Sequence, residues 1–326
     1  MVYSPKSLWA REKLGRVTAA MRGILLWMAA NRWLRYHLPR LGFARRAVLR
    51  FMPGEDPESA LHAGRDFKKD GISVVLTRLG ENITRPEEAD EVAEHYLGLI
   101  QRISEEGLDG EISVKLTQLG LDLDVDRAAA HVERLADRAA SFGKTVWIDM
   151  EGSAYTEKTI ALYERVKARH PNTGLCLQAY LHRTAADTQR LVPLEPSIRL
   201  VKGAYAEPAP IAYQTRHEVD ANFVALSVAM LDAARGGRRI RIALGTHDVK
   251  LIDQITRHAE ALGLTKTAFE VQMLYGIRTD EQRRLAREGF VVRDLVCYGS
   301  AWYPWYMRRL AERPANVLFA LRQLLP

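Results

Sequence analysis

From residue 71 onward, short apolar runs alternate along the chain with longer segments in which apolar residues recur at helical spacing. The runs are continuously apolar, which is typical of strands buried on both faces. They predict eight strands, at residues 71–76, 111–116, 145–150, 174–179, 197–203, 239–244, 268–274 and 290–297. The other segments predict helices at residues 87–106, 126–142, 156–168, 185–191, 219–235, 248–262, 280–288 and 302–313.

This alternation of strand and helix favours one architecture. Strands separated by helices run parallel and are joined by right-handed crossovers. Eight such units close into a (β/α)8 barrel, the TIM-like α/β fold, which takes about 250 residues. A doubly wound open sheet is the alternative, but no G-x-G-x-x-G motif opens the first helix. The sequence therefore predicts a barrel over residues 55–326 that ends in a C-terminal helix at residues 315–326.

Residues 1–54, which we call the arm, have a different pattern. They predict two or three helices, and a Pro/Gly/acid turn at residues 52–57 separates them from the barrel. Eleven Lys and Arg residues face a single Glu there, interleaved with Trp9, Trp27 and Trp33. The longest apolar run, residues 23–30, is far too short to span a bilayer. Two interpretations stay open: an arm packed on the barrel, or a basic amphipathic helix on an anionic membrane surface.

Composition narrows the class of protein. The chain has 326 residues, 47% hydrophobic and 27% charged, enough for a large core. Cys176 and Cys297 lie in strand-like runs and fit a reduced, cytoplasmic protein. No C-x-x-C or His-x-x-x-His spacing indicates a metal site. The pI of 9.4 would allow a non-catalytic barrel that binds nucleic acid, but no nucleic-acid motif accompanies it and the positive charge is concentrated in the arm.

Polar side chains occur at or near the end of every predicted strand, where a barrel of this kind carries its active site. Lys115 and Asp149 are expected to form an ion pair inside the barrel mouth, although a single such pair is more often structural. Polar residues at the same end of all eight strands favour a functional site. The strand-end residues are Arg78, Glu81, Asn82, Lys115, Asp149, Glu151, Gln178, Arg199, Lys202, Thr246, His247, Glu270 and Gln272. Strand eight leads into the arginine pair Arg308 and Arg309, and with this pair Lys and Arg outnumber the acids at these ends. Such an excess of cations suits an anionic, extended cofactor together with a small carboxylate.

The helix predicted after the last strand carries two adjacent arginines, Arg308 and Arg309, among four aromatic residues. Neighbours on a helix point about 100° apart, so two guanidinium groups can converge on one small anion. Arginine suits this task because its planar fork matches a carboxylate. The alternative is an exposed helix face on which Glu312 pairs with one of the arginines.

Five stretches resemble proline dehydrogenases in their short bacterial monofunctional form: residues 113–116, 148–151, 199–205, 269–276 and 306–312. Their order and spacing match the barrel strands, and the resemblance covers about residues 55–320. It implies oxidation of L-proline to 1-pyrroline-5-carboxylate with noncovalent FAD, and transfer of the electrons to a membrane quinone. A cytoplasmic protein held peripherally on the inner face of the cell membrane would fit that activity. The resemblance says nothing of the oligomeric state.

Carried over by position, the resemblance also implies roles for individual residues. Arg308 and Arg309 would hold the proline carboxylate with Lys115 as a third cation, and Asp149 would lie beside Lys115 and the flavin. Leu274 and Tyr205 would wall the proline ring, and Arg199 would lie near the reactive flavin nitrogen. Glu81 would pair with Arg308 and gate the site. Further FAD contacts would be Gln178, Val201, Lys202, Thr246, His247 and Glu312.

Two positions depart from the family pattern. Leu295 stands in the eighth strand where the family usually has a tyrosine, and Trp305 stands where it has another, three residues before the arginine pair. Both belong to the side of the pocket that faces the substrate ring. These departures leave open a second interpretation, a flavin dehydrogenase of the same fold that acts on another cyclic imino acid such as hydroxyproline.

Overall fold

The computed structural model of the protein describes residues 23–25, 27–29, 31–80 and 83–312, except for the side chains of residues 32, 39, 43, 45, 308 and 312. Glu81, the first 22 residues of the arm and the helix predicted over residues 315–326 lie outside these ranges. Within the ranges, no helix combines the length and the apolar character that crossing a membrane requires.

Eight parallel strands form a closed barrel in which each strand pairs with its neighbour in sequence and the last pairs with the first. The strands are β1 (Ser73–Arg78), β2 (Gly110–Val114), β3 (Val146–Ile148), β4 (Thr173–Gln178), β5 (Ser197–Val201), β6 (Arg241–Gly245), β7 (Glu270–Leu274) and β8 (Val291–Tyr298). Each overlaps the apolar run that predicts it, and the (β/α)8 prediction is confirmed.

A helix connects each pair of successive strands, and the apolar side of these helices packs on the outside of the barrel. The connecting helices are Pro86–Glu105, Val125–Ala140, Thr156–Lys167, Thr184–Leu191, Arg216–Arg235, Val249–Ala261 and Thr279–Arg287. Helix Trp302–Glu312, which we call the arginine helix, follows β8. Helix Pro57–Lys69 precedes β1, and the arm contains helices Arg32–His37 and Gly42–Val48.

Local chemistry sets the ends of these elements. Gly71, with a φ of 70°, turns the chain after helix Pro57–Lys69, so β1 begins two residues later than its apolar run does. The carboxylate of Asp124 accepts hydrogen bonds from the backbone N–H groups of Asp126, at 2.9 Å, and Arg127, at 3.0 Å, and caps helix Val125–Ala140.

The floor of the barrel is a cluster of two glutamates and two arginines, of which only Arg241 is partly exposed. It includes Glu270, which begins β7 and therefore lies at the end opposite the strand ends where the sequence pattern predicts it. The Arg241 guanidinium lies 2.7 Å from Glu111 and 2.8 Å from Glu270. Arg293 lies 3.6 Å from Glu111 and 3.7 Å from Glu270. Above this layer the indole N–H of Trp147 donates to Glu111 at 2.7 Å. The charges balance, and the cluster closes the end of the interior opposite the strand ends that carry the candidate site.

Asp294 of β8 is a fully buried carboxyl outside this cluster. Its neighbours in the strand, Arg293 and Leu295, have inward-facing side chains, so Asp294 points outward, against Gln282 of helix Thr279–Arg287. Burial raises the pKa of Asp294 well above its ordinary value. Among the described residues, neither oxygen of Asp294 has a hydrogen-bond partner, and neither does Oε1 of Gln282. A proton on Asp294 would supply a hydrogen-bond donor in this group of acceptors.

We expect Asp294→Asn to stabilise the protein at alkaline pH. A carboxyl with a raised pKa in the folded state makes the free energy of unfolding fall as pH rises from about 4 through the folded pKa. Asparagine does not titrate, so the Tm of the Asp294→Asn variant should exceed that of the wild type by about 2 °C or more at pH 8. Thermal unfolding at pH 5 and pH 8 measures this difference, and a gap that does not widen at the higher pH would contradict the argument.

Candidate active site

The centre of the site is one carboxylate between two buried cations. The Asp149 side chain, just beyond β3, lies 3.2 Å from Lys115 Nζ and makes a short contact with Arg199 Nη2. Ser113 donates a hydrogen bond to Asp149 Oδ1 at 2.7 Å and accepts one from Arg199 Nη2 at 2.8 Å. Gln272 Oε1 accepts from Arg199 Nη1 at 3.3 Å. Side chains from four parallel strands, β2, β3, β5 and β7, thus meet in one hydrogen-bonded cluster.

The electrostatics of this cluster keep all three groups charged. Burial raises the pKa of Asp149, but Lys115 and Arg199 more than offset it, and the pKa lies below its ordinary value. Burial lowers the pKa of Lys115, yet the Asp149 carboxylate outweighs this effect and raises that pKa above its ordinary value. Two cations and one anion leave a net positive charge at the barrel mouth.

Arg309 adds a further cation to the same region. Burial raises the pKa of the Cys297 thiol of β8 to about 12, and the charges of Lys115 and Arg309 both act against that rise. The Arg309 guanidinium carbon lies 5.9 Å from the centre of the Trp305 ring. The side chain of Arg308 lies outside the described atoms, so the predicted convergence of the two guanidinium groups is not addressed by the structure.

The arginine helix is held between the barrel and the arm. It follows a turn at Gly299, whose φ is 119° and whose α-carbon faces the backbone of Leu79 so closely that a side chain would have little room. The Tyr303 hydroxyl donates to the Met28 carbonyl at 3.3 Å, and the rings of Phe51 and Tyr306 lie 5.8 Å apart. The described inner side of the arm therefore packs directly on the helix that carries the predicted carboxylate clamp.

The residues predicted to contact the cofactor follow the ends of β4, β5 and β6. Gln178 is buried, donates through Nε2 to the Glu151 carbonyl at 3.3 Å and has no partner for its Oε1 in the described part of the chain. Thr246 Oγ1 accepts from the Asp248 N–H at 3.1 Å, and His247 Nε2 lies 3.4 Å from the Leu274 N–H. Val201 is half-buried beside them.

Lys202 differs from the other predicted cofactor contacts because two carboxylates already hold its side chain. Its Nζ makes a short contact with Asp220 and lies 3.4 Å from Asp248. Arg216 reaches the same two aspartates, at 3.3 and 2.7 Å. Two cations and two anions make this neighbouring cluster neutral, in contrast to the cluster around Asp149.

The remaining predicted residues fall around the mouth of the barrel. Tyr205 is close enough to Lys115 to influence its pKa. Leu295 is half-buried and packs both against Val75, Trp147 and Ala243 in the interior and against the arginine helix. Trp305 is buried within that helix. Glu81 and the Glu312 side chain lie outside the described atoms.

Sequence reasoning missed two residues of the central cluster. Ser113 links Asp149 to Arg199, and the Arg199 guanidinium carbon lies 5.2 Å from the centre of the Trp147 ring. Both residues could have been found from strand periodicity, because each precedes a predicted site residue, Lys115 or Asp149, by two positions and so shares its face.

The chain is similar to proteins of one family along most of its length. A family model described as proline dehydrogenase matches residues 60–322. Proline dehydrogenase 1 of Bacillus subtilis (strain 168) is 35% identical over 305 residues, which cover 94% of this chain and 99% of that protein. Proline dehydrogenase of Deinococcus radiodurans is 37% identical over 281 residues, 85% of this chain and 89% of that protein.

Solved structures show the same barrel. Proline utilization A from Bdellovibrio bacteriovorus, inactivated by N-propargylglycine, superposes with a TM-score of 0.77 at 22% identity and covers 84% of this chain. Proline utilization A from Corynebacterium freiburgense gives a TM-score of 0.68 at 21% identity over 100% of this chain. The chain spans only 33% and 35% of these two longer proteins, so the likeness is one of fold.

Proposed function

This chain belongs to the proline dehydrogenase family, and on that premise we propose that it oxidises L-proline to 1-pyrroline-5-carboxylate with noncovalent FAD and a membrane quinone as electron acceptor. The observation that carries the proposal is the excess of positive charge at the barrel mouth. Lys115 and Arg199 both contact a single carboxylate, Asp149, and Arg309 adds a cation on the arginine helix, which follows β8 at the same end of the barrel. An amino acid carboxylate is a ligand of the size and charge that such an arrangement binds.

The reaction removes a hydride from C5 of proline and a proton from its nitrogen, and forms the C=N bond of the product. FAD, when bound, supplies the two-electron acceptor for that hydride. The chain contributes binding and orientation: Arg308, Arg309 and Lys115 hold the carboxylate, while Leu274 and Tyr205 limit the positions of the ring. Fixing the carboxylate from several sides orients the ring for transfer, which is a large part of the rate enhancement available to such an enzyme.

The residues at the ends of β4–β6 fit a bound dinucleotide. The buried Gln178 Oε1, without a donor among the residues that the structure describes, can accept a hydrogen bond from a flavin ring. Val201, Thr246 and His247 continue from it along the rim, and Glu312 would complete the set from the arginine helix. Lys202 would have to bind the diphosphate of the cofactor while it also pairs with Asp220 and Asp248.

The visible spectrum of the purified protein tests the proposal. We expect a yellow protein whose absorbance is bleached by L-proline without oxygen, and whose colour is released into the supernatant by acid. A colourless protein, or one that proline does not bleach, would overturn the assignment. Colour that stays with the acid precipitate would contradict noncovalent attachment.

Leu295 supports a second candidate substrate. The leucine side chain is shorter than the tyrosine usual in the family and has no hydroxyl, so the pocket beside it has a different shape and polarity. A substituted ring such as that of hydroxyproline could use that space. Parallel bleaching with L-proline and trans-4-hydroxy-L-proline decides between them, since the preferred substrate should reduce the flavin faster at equal concentration.

Arg199→Met should lower the reduction potential of the bound flavin. The change removes a buried cation from the central cluster, while Asp149 keeps its contact with Lys115. A loss of about 1.4 kcal/mol of favourable interaction with the reduced cofactor corresponds to about 30 mV for two electrons. Equilibrium titration against a reference dye measures the shift, and Arg238→Met, an exposed arginine, is the matched control. Equal potentials in wild type and Arg199→Met would remove Arg199 from the flavin environment.

A further inference from the structure

The arm has two sides with opposite surroundings. Leu25, Ala29, Ala47, Val48 and Met52 are buried against the arginine helix and its neighbours. Six other large apolar side chains of the arm are 43% to 64% exposed, and we call this set the apolar face: Ile24, Trp27, Trp33, Tyr36, Leu41 and Leu49. In the described residues only Leu123, Val125 and Ile211 are exposed in the same way elsewhere, so such side chains are concentrated on the arm.

Part of the apolar face is a continuous surface of rings. The Trp33 and His37 rings lie 4.4 Å apart, and the Tyr36 and His37 rings lie 5.0 Å apart. The Arg40 guanidinium carbon lies 3.4 Å from the centre of the Tyr36 ring. Amphipathic aromatic rings beside arginine are the side chains that accumulate at the boundary between water and lipid.

The charge of the arm matches this surface. Residues 1–54 contain eleven Lys and Arg against one Glu, which leaves 36 Lys and Arg against 39 Asp and Glu in the other residues. The barrel portion therefore has a slight negative charge, and the positive net charge of the protein belongs to the arm. No acid occurs between residues 13 and 54, and Arg35, Arg40 and Arg46 are exposed near the apolar face.

We propose that the apolar face and these arginines form a docking surface for a bilayer that contains anionic phospholipid. A second copy of the chain would bring two basic surfaces together, which opposes that contact. Nucleic acid would neutralise the arginines but would leave Ile24, Leu41 and Leu49 in water. An anionic bilayer surface accepts the cations at its headgroups and the apolar side chains at the acyl boundary, so it satisfies both features at once.

Docking through this surface places the bilayer next to the active site. The inner side of the arm packs on the arginine helix through Met28, Phe51 and Met52. A lipid-soluble electron acceptor would then meet the protein at the end of the barrel where the reaction occurs. This consequence rests on the proposed function, whereas the docking surface itself rests only on the arm.

Vesicle sedimentation tests the docking surface with the full chain. Wild-type protein should sediment with vesicles of phosphatidylcholine and phosphatidylglycerol at physiological salt, and at least about tenfold less with phosphatidylcholine alone. Trp27→Ser/Trp33→Ser and Arg35→Gln/Arg40→Gln should each weaken binding to the mixed vesicles about tenfold. Leu123→Ser/Val125→Ser removes two exposed apolar side chains from another surface and should bind like wild type. Circular dichroism melts verify that every variant is folded.

Several outcomes would overturn the proposal. These are failure of the wild type to bind the mixed vesicles, full binding by the tryptophan variant, lipid-free self-association through the apolar face, and binding of nucleic acid in place of vesicles. Proline-dependent reduction of a soluble dye without vesicles should be unchanged in the arm variants. If the wild type binds vesicles but lacks that activity, only the proposed function is contradicted. If it has the activity but does not bind vesicles, only the docking surface is contradicted.

Discussion

Replacing Asp149 with alanine is expected to lower the free energy of unfolding by about 3–5 kcal/mol, the cost of leaving buried charge without its partner. Lys115 and Arg199 would lose the carboxylate that both now contact, and Arg199 is only 3% exposed. Ser113 would also lose its acceptor. Chemical denaturation of the purified protein measures the change, and fluorescence of the buried Trp147 offers a signal near the site.

A double variant separates the charge effect from the loss of packing. Lys115→Met in the Asp149→Ala background removes one of the two stranded cations, so part of the lost stability should return. Lys115→Met alone should cost less than Asp149→Ala, because Asp149 would still contact Arg199. If the double variant were as unstable as the sum of the single ones, the cluster would not be an electrostatic unit.

Arg309→Lys is expected to raise the KM for proline tenfold or more, which corresponds to a loss of about 1.4 kcal/mol. Lysine keeps the charge but lacks the planar fork that binds a carboxylate at two points. Arg309 lies on the arginine helix, which follows β8 at the mouth of the barrel, where the substrate carboxylate would bind. Steady-state kinetics with a soluble acceptor measure the effect, and Arg308→Lys is expected to behave similarly.

Two controls accompany this measurement. The flavin content should stay near that of the wild type, because the predicted role of Arg309 is toward the substrate. Arg238→Lys, on an exposed position far along the chain from the arginine helix, should leave the kinetics unchanged. A wild-type KM in both Arg308→Lys and Arg309→Lys would mean that the arginine pair does not hold the substrate carboxylate, and the case for an amino acid substrate would lose its main support.

The barrel could be predicted because its signal is local and repeated. Each strand is a short, largely apolar run, and the helices between the strands have apolar stripes of their own, so an error in predicting one element does not alter the others. The predicted and observed boundaries of an element differ where a single residue fixes its end, as Gly71 does before β1. The contact between Lys115 and Asp149 was also predictable, because the two residues lie at the ends of neighbouring strands and each shares the inward face of the residue two positions before it, Ser113 or Trp147.

Other features depend on contacts between distant parts of the chain, and pattern alone does not contain them. Asp220 and Asp248, for example, both contact Lys202. They come from the starts of two different helices, and nothing in their sequence spacing indicates that they lie together. The buried environment of Asp294 depends on which helix covers β8. Some apolar residues of the arm pack on the arginine helix and others are exposed, and the sequence did not show which would be which.

The stack inside the barrel has a consequence for how molecules reach the site. The Trp147 ring lies 5.2 Å from the Arg199 guanidinium carbon and 5.0 Å from that of Arg241, so it fills the space between the candidate site and the charged floor. The interior is therefore a cup with one opening. Incoming substrate and departing product must use the same passage, past the arginine helix, and cannot follow one another through the barrel. Product must therefore dissociate from this cavity before the next substrate molecule can bind, and product that dissociates slowly should act as a competitive inhibitor.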